Sequence, residues 1–175
     1  EVLAKLGNLQ DAEQAYREAL RQDANNPDLH TSLGEVLLRK GDRVAAEVSF
    51  REAVRLAPRL ASAHKGLGDL YAAQRQDEQA VQEYQQAISA DPVYAAAYFG
   101  LGTMYARKQK PRTNIRKAIA AFQMAGELSK GSFAEPYNGL GDLYLRLGQI
   151  QQAVAAYRRA IEISAKFALP HNGDR

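Results

Sequence analysis

The sequence predicts an all-α fold in which antiparallel helix pairs stack into a solenoid, or superhelix. Two observations lead to this class. An aromatic residue recurs with successive separations of 34, 34, 38 and 35 residues, at Tyr16, Phe50, Tyr84, Phe122 and Tyr157. A Leu-Gly pair recurs in the other half of each period, at Leu33-Gly34, Leu67-Gly68, Leu101-Gly102 and Leu140-Gly141. Helical units of this length cannot bury their apolar faces alone, so neighbouring units must stack.

Alanine flanks each of these aromatic residues at helical spacing. It stands three positions after them, at Ala19, Ala53, Ala87, Ala125 and Ala160, and four positions before them, at Ala12, Ala46, Ala80, Ala118 and Ala153. We interpret the aromatic residues as knobs on a packed face, and Gly or Ala as positions where the partner helix approaches too closely for a larger side chain. Each unit is therefore expected to contain a first helix with the Leu-Gly pair and a second helix with the aromatic residue.

Proline, asparagine and glycine mark the expected breaks between helices. Unit boundaries carry Pro27, Pro58 and Pro92. Asn25 and Asn26 precede Pro27 and are candidate helix caps, because their side chains can accept from the free N–H groups of the first turn. Within units, Gly41-Asp42 and Gly148-Gln149 predict tight turns between the two helices.

These residues resemble the tetratricopeptide repeat (TPR) family, whose unit of about 34 residues has Leu-Gly in its first helix and aromatic-x-x-Ala in its second. The resemblance covers nearly the whole chain and implies one solenoid domain. Its parts are a partial unit at residues 1–26, mostly a second helix, then units at 27–60, 61–94, 95–133 and 134–167, and a tail at 168–175. The third unit departs from the pattern with a basic insertion at about 108–114. The bulky first position holds His30, His64, Tyr98 and Tyr137.

The resemblance also implies that first helices line a concave groove in which a partner docks. Helical spacing from the Leu-Gly pairs selects the candidate contacts Thr31, Glu35, Arg39, Lys65, Asp69, Phe99, Thr103, Arg107, Asn138, Asp142 and Arg146. The alternative for each is an ordinary solvated helix face, and Phe99 is either a docking anchor or a packed residue. One subclass of the family grips the carboxylate of chaperone tails with Lys and Asn. Thr31 and Glu35 stand at those positions here, which disfavours a chaperone-tail clamp.

A basic edge surrounds the insertion in the third unit. Residues 107–117 contain six basic residues and no acidic one. Besides Arg107 they are Lys108, Lys110, Arg112, Arg116 and Lys117. Such a segment could hold an acidic partner, phosphate groups or a membrane surface. The preferred interpretation is a solvated loop whose Thr113 caps a helix lengthened by about one turn.

Composition excludes several classes of protein. The net charge is +3, from 23 Lys and Arg against 20 Asp and Glu, which by itself does not indicate nucleic acid or an anionic membrane as a partner. The chain has no cysteine, which excludes disulfides, thiolate metal sites and a cysteine nucleophile. No run approaches the roughly 20 apolar residues of a membrane-spanning helix. With Glu1 inside an expected helix and no targeting segment visible, we expect a soluble segment of a longer protein.

Two features could be mistaken for sites of chemistry. Gly-Leu-Gly triplets such as Gly66-Leu67-Gly68 resemble part of a phosphate-binding loop, but such a loop needs a preceding strand and a third glycine, so helix packing is preferred. His30 and His64 occupy equivalent positions of neighbouring units, where stacked helices hold equivalent atoms about 10 Å apart, too far to share a metal ion. We therefore predict no enzymatic activity, no cofactor and no metal site.

The sequence thus predicts a protein–protein interaction scaffold that docks a peptide or protein in its groove, within a larger protein or complex. Two alternatives stay open. The chain could assemble into a homo-oligomer through the open ends of the repeat array, or it could bind an anion or acidic partner through the basic edge. Nucleic acid is not expected, because it would favour a wider basic stripe with stacking aromatic residues, whereas Glu35, Asp69 and Asp142 are acidic.

Overall fold

The computed structural model describes residues 8–107 and 112–168, and these contain helices and turns but no strand. The helices are α1 (Leu9–Gln22), α2 (Pro27–Lys40), α3 (Arg43–Leu56), α4 (Ala61–Ala73), α5 (Asp77–Ala90), α6 (Ala95–Arg107), α7 (Arg112–Leu128), α8 (Glu135–Arg146) and α9 (Ile150–Ala168). The predicted all-α class is confirmed. The first helices α2, α4, α6 and α8 carry the Leu-Gly pairs, and the second helices α1, α3, α5, α7 and α9 carry the periodic aromatic residues.

The chain forms two compact units, Glu1–Pro92 with helices α1 to α5 and Val93–Arg175 with helices α6 to α9. Inside each unit every helix packs against the next one along the chain. The first helices also contact each other directly, α2 with α4 in unit 1 and α6 with α8 in unit 2. Within a unit, first helices therefore lie side by side, which is the packing expected of stacked helix pairs.

Local sequence explains where the helices of unit 1 begin and end. Asn26 caps α2, because its Oδ1 accepts from the N–H groups of Asp28 and Leu29 at 3.1 and 3.2 Å. Gly41 ends the same helix in the left-handed region with φ of +86°. Asp42 then caps α3 by accepting from the N–H of Ala45 at 3.0 Å. Of the two cap candidates, Asn26 and not Asn25 caps the helix, and the predicted turn at Gly41-Asp42 is confirmed.

One turn of unit 1 lacks the glycine that the repeat leads us to expect. Arg75 follows α4 at the position that Gly41 holds after α2 in the preceding repeat. Its φ is +63°, in the left-handed region, where a side chain costs free energy because Cβ crowds the following carbonyl oxygen. In unit 2 the equivalent position is Gly148, with φ of +74°.

The second helix of the third repeat is longer than those of the two repeats before it. Helix α7 has 17 residues, whereas α3 and α5 have 14 each, so α7 is longer by about one turn. The helix already includes residues 112–114 of the predicted insertion, so the expectation that Thr113 caps the helix is wrong, because Thr113 lies within its first turn. Residues 108–111 of the insertion lie outside the described residues.

The core of each unit is built around the periodic aromatic residues. Phe50 has no exposed surface, and Tyr84 and Phe122 are 2% and 4% exposed. A Cβ built on Gly34 of α2 or on Gly66 of α4 would lie only 2.7 or 2.6 Å from Cδ1 of Phe50. Since neither position tolerates that atom without a shift, the glycines make room for the aromatic ring. The structure thus supports packing as the reason for the Gly-Leu-Gly triplets.

Candidate functional site

The candidate contacts on α2 divide into exposed and buried residues. Glu35 and Arg39 are exposed, four residues apart on one helix face. Thr31 is only 5% exposed, and its Oγ1 donates to the carbonyl oxygen of Pro27 at 2.9 Å. Its hydroxyl therefore takes part in the first turn of α2. Only Glu35 and Arg39 of this set present their side chains to solvent.

On α4, the candidate residues Lys65 and Asp69 bind each other. Lys65 Nζ lies 2.7 Å from Asp69 Oδ2, and both side chains are partly exposed. Asp69 also accepts a hydrogen bond of 2.7 Å from the hydroxyl of Tyr84 on α5. This carboxylate therefore joins the two helices of its pair, in addition to lying on the candidate face.

Unit 2 repeats the bond between tyrosine and aspartate. The hydroxyl of Tyr157 on α9 donates to Oδ1 of Asp142 on α8. This hydrogen bond is the main cause that raises the pKa of Tyr157 above its usual value, with smaller contributions from burial and the negative charge of Asp142. Where the second helix carries Phe50 or Phe122 instead, the residue after Leu-Gly is Glu35 or Thr103. Aspartate therefore follows Leu-Gly in the two repeats whose second helix carries tyrosine. The tyrosine hydroxyl needs a hydrogen-bond partner when the ring is packed.

Phe99 of α6 lies in the core of unit 2 and is half-buried. Its ring centroid is 5.7 Å from that of Phe122 and 4.9 Å from that of Phe133. Aromatic pairs at such distances stabilise a fold beyond the area they bury. The side chain of Thr103 bonds back to the carbonyl oxygen of Phe99 at 3.0 Å. These contacts are those expected if Phe99 is a packed residue, which is one of the two interpretations that the sequence left open.

The remaining candidates of unit 2 lie near helix ends or beside a cavity. Arg146 at the end of α8 donates to the carbonyl oxygen of Ala106 near the end of α6, at 3.3 Å. Arg107, the last residue of α6, is half-buried. Asn138 is exposed and borders an open cavity of about 340 Å³ between α8 and α9, which Ile161 also lines.

The basic edge is described only in part. Arg116 and Lys117 are exposed on the first turns of α7. Lys117 Nζ lies 5.4 Å from the centroid of the Tyr105 ring, a cation–π contact within unit 2. Lys108 and Lys110 lie outside the described residues. Arg112 is the first residue of α7.

Two features of the surface and core were not predicted from the sequence. The first feature is a hydrogen bond from the residue after the aromatic position to a tyrosine hydroxyl on the next first helix. Arg51 donates to Tyr71 at 3.2 Å, and Gln123 donates to Tyr144 at 3.3 Å. These bonds join consecutive helix pairs. In addition, the last described helix, α9, presents a row of exposed aliphatic residues, which comprises Ile150, Val154 and Ile161. We call this row the α9 stripe.

The described part of the chain contains neither a metal centre nor a membrane span. Among residues 8–107 and 112–168, no three His, Asp or Glu side chains come close enough to hold a metal ion. In the same residues no helix is both long and apolar enough to cross a bilayer.

Stacked helix pairs with glycine-lined aromatic anchors define a helical-repeat protein. The family models agree. A TPR repeat model matches residues 1–41 and 68–109, and a tetratricopeptide repeat model matches residues 134–167. The chain belongs to the tetratricopeptide repeat family and is a TPR-like solenoid. As a member of this family it is, in general terms, a protein-interaction scaffold that binds protein partners.

Solved structures with a similar fold cover most of the chain. A crystal structure of MamA is 28% identical over 95% of this chain and 94% of that chain, with a TM-score of 0.74. TTC0263, described as a thermophilic TPR protein in Thermus thermophilus, is 26% identical over 94% of this chain and 87% of that chain, with a TM-score of 0.79. No curated protein sequence matches the chain.

Proposed function

We propose that the chain docks a peptide or protein partner on the exposed face of its first helices, and that it acts by binding and not by catalysis. The observation that supports this most directly lies in unit 1. Glu35 and Arg39 of α2 are exposed on one helix face, and α2 lies beside α4, whose Lys65 and Asp69 are partly exposed. The partner surface would thus have mixed charge, with neighbouring groups that complement acidic and basic side chains.

Three of the candidate residues are not part of this proposal. Thr31 is buried within α2, and Phe99 packs against Phe122 and Phe133. The ammonium of Lys117 lies over the ring of Tyr105. We therefore do not base the proposed docking on an aromatic anchor or on the basic edge. A chaperone tail is not the partner that we propose, because Thr31 and Glu35 replace the Lys and Asn of that clamp.

A charge swap that leaves the net charge unchanged tests this proposal. The variant Glu35→Lys with Arg39→Glu reverses both charges on α2. The matched control Glu52→Lys with Arg55→Glu swaps a pair on α3, where Arg55 Nη2 and Glu52 Oε1 lie 2.7 Å apart. Partners would be captured from a lysate of the source organism with each variant and with the unaltered chain, and quantified by mass spectrometry.

Loss of the same proteins with the α2 swap, together with their retention by the α3 swap, would support docking on the first helices. Equal capture by all three chains would contradict it. Circular dichroism and thermal melts of each variant are the folding controls. If both swaps leave the helices folded, lost capture reflects lost contacts.

Self-association is a second candidate function, which the α9 stripe favours. Ile150, Val154 and Ile161 are 57%, 43% and 67% exposed. The equivalent residues of α7, in the preceding repeat, are Ile115, Ile119 and Gly126. Helix α8 packs on that helix, and a Cβ on Gly126 would lie 2.8 Å from Cζ of Tyr137. The α9 stripe thus occupies the face that takes a following helix within unit 2.

Light scattering over a concentration series tests self-association. We expect the average mass to rise above 19.3 kDa with concentration for the unaltered chain. The variant Ile161→Glu should stay at the mass of one chain, because burial of a carboxylate is costly. Val48→Glu is the control, since Val48 on α3 is 66% exposed and lies outside the stripe. A single mass for the unaltered chain at every concentration would contradict this candidate.

A further inference from the structure

His64 of α4 is buried, and both nitrogens of its ring contact an oxygen. It is 8% exposed. Nδ1 lies 2.8 Å from Oε2 of Glu83 on α5, and Nε2 lies 3.0 Å from the carbonyl oxygen of Pro58 in the turn before α4. One side chain thus links three parts of unit 1.

The number of protons at this site follows from the chemistry of the three groups. A carbonyl oxygen and an ionised carboxylate only accept hydrogen bonds, and a neutral imidazole has one N–H to donate. The neutral ring could therefore satisfy either Glu83 or Pro58, and its other nitrogen would direct a lone pair at an oxygen. Only one more proton makes both contacts hydrogen bonds. That proton gives an imidazolium that donates to both oxygens.

The charged groups around His64 favour the extra proton on the ring. Glu83 faces it from α5, and the turn before α4 contributes the carbonyl of Pro58. From α3, Arg51 is close enough for its charge to interact with Glu83, and Arg51 also pairs with Glu47 at 2.7 Å. A carboxylic acid is a stronger acid than an imidazolium, so the shared proton belongs on the ring of His64.

Lys65, the neighbour of His64 on α4, pairs with Asp69 at 2.7 Å. The hydrogen bond to Glu83 raises the pKa of His64 above its usual value. Burial opposes this rise, while the Pro58 carbonyl and the negative charge of Glu83 add to it.

His30 provides an internal comparison at the equivalent position of the preceding repeat. Its Nε2 lies 2.9 Å from the carbonyl oxygen of Ala24, which stands as far before His30 in the chain as Pro58 stands before His64. The position equivalent to Glu83 is Ser49, whose hydroxyl donates to the carbonyl oxygen of Ala45 at 3.0 Å. A neutral ring with its proton on Nε2 satisfies the contact with Ala24, so this contact requires no second proton.

We propose that His64, Glu83 and the Pro58 carbonyl form a proton-operated clamp in unit 1, which holds α4 to α5 and to the turn before α4 when His64 is protonated and loosens when the proton is lost. The sign follows from linkage. A group with a raised folded pKa contributes its full stabilisation below its unfolded pKa of about 6.5, and this contribution is lost as the pH rises through the folded pKa. Unit 1 is therefore most firmly clamped in mildly acidic conditions.

The variant Glu83→Gln tests the clamp because it should keep the contacts but remove their need for a proton. The side-chain amide introduced at position 83 can donate to Nδ1 while a neutral His64 donates from Nε2 to Pro58. We would measure urea unfolding of the whole chain between about pH 6 and pH 8.5, for the unaltered chain, Glu83→Gln and the control His30→Gln. For the unaltered chain and His30→Gln, the folding equilibrium constant should fall by up to about tenfold per pH unit above the unfolded pKa.

For Glu83→Gln, the folding equilibrium constant should change much less over the same pH range. The clamp would be refuted if the folding equilibrium constant of the unaltered chain did not fall with pH. It would also be refuted if that constant fell as steeply for Glu83→Gln as for the unaltered chain. Nuclear magnetic resonance of the unaltered chain gives a second measurement that does not depend on a folded variant. His64 should titrate above the usual histidine pKa of about 6.5, and titration at or below that value would also overturn the proposal.

Discussion

The ring of Phe50 in α3 lies against Gly66 in α4 so closely that a Cβ at position 66 would come within 2.6 Å of Cδ1. On its other side the ring meets Gly34 of α2, where the corresponding distance is 2.7 Å. In unit 2, Phe122 is enclosed in the same way, with a Cβ on either Gly102 or Gly139 only 2.6 Å from a ring carbon. Phe50 and Phe122 thus each join two consecutive first helices through glycines.

The first prediction concerns this close approach. Gly66→Ala should lower the free energy of unfolding by about 1–3 kcal/mol, because an extra methyl group in a packed core forces neighbouring side chains to shift. Chemical denaturation measures this change. In a Phe50→Leu background the same alanine should cost less, since the smaller side chain leaves room. An equal cost in both backgrounds would contradict the role of the ring.

The second prediction concerns the turn after α4. Arg75→Gly should raise the free energy of unfolding by about 1 kcal/mol, because glycine adopts a positive φ without the crowding of a Cβ. Gly148→Ala should have the opposite effect, although no atom lies within 4 Å of the added Cβ, since φ there is +74°. Thermal or chemical unfolding compares the two variants. A destabilised Arg75→Gly chain would show that contacts of the Arg75 side chain outweigh its backbone conformation.

The third prediction concerns the bond that joins α4 and α5. Tyr84→Phe should cost roughly 1–2 kcal/mol of stability, because Asp69 loses a hydrogen bond of 2.7 Å from a buried tyrosine. Tyr157→Phe should cost less, since Asp142 is exposed and can exchange the lost bond for water. The two unfolding curves are compared with that of the unaltered chain. A larger loss for Tyr157→Phe than for Tyr84→Phe would contradict this explanation.

The fold could be predicted because packing imposes a period on the sequence. Each helix pair needs an aromatic residue and small residues at fixed positions, so Phe50 and Gly34 recur as Phe122 and Gly102. The turn at Gly41 was predictable for a related reason, because its positive φ favours glycine. Arg75 shows the limit of this reasoning, since the structure has the same turn there without the residue that signals it.

The candidate site could be predicted only as a helix face. Spacing from Leu-Gly places Thr31 and Glu35 on one face, but burial depends on what the neighbouring helices cover, and this left Glu35 exposed and Thr31 buried. The role of Asp69 depended on a contact with Tyr84, which lies on the next helix. The pairing of Asp with Tyr at equivalent positions was a signal in the sequence that could have identified this bond.

The most direct test of the docking proposal is site-specific photocrosslinking. A photoreactive phenylalanine analogue would replace Arg39 on α2 in one chain and Arg55 on α3 in another, since both residues are exposed. After irradiation in a lysate of the source organism, we predict that the chain labelled at position 39 forms a discrete crosslinked product with another protein, which mass spectrometry can identify. The chain labelled at position 55 should not form that product. The same product from both positions, or from position 55 alone, would contradict docking on the first helices.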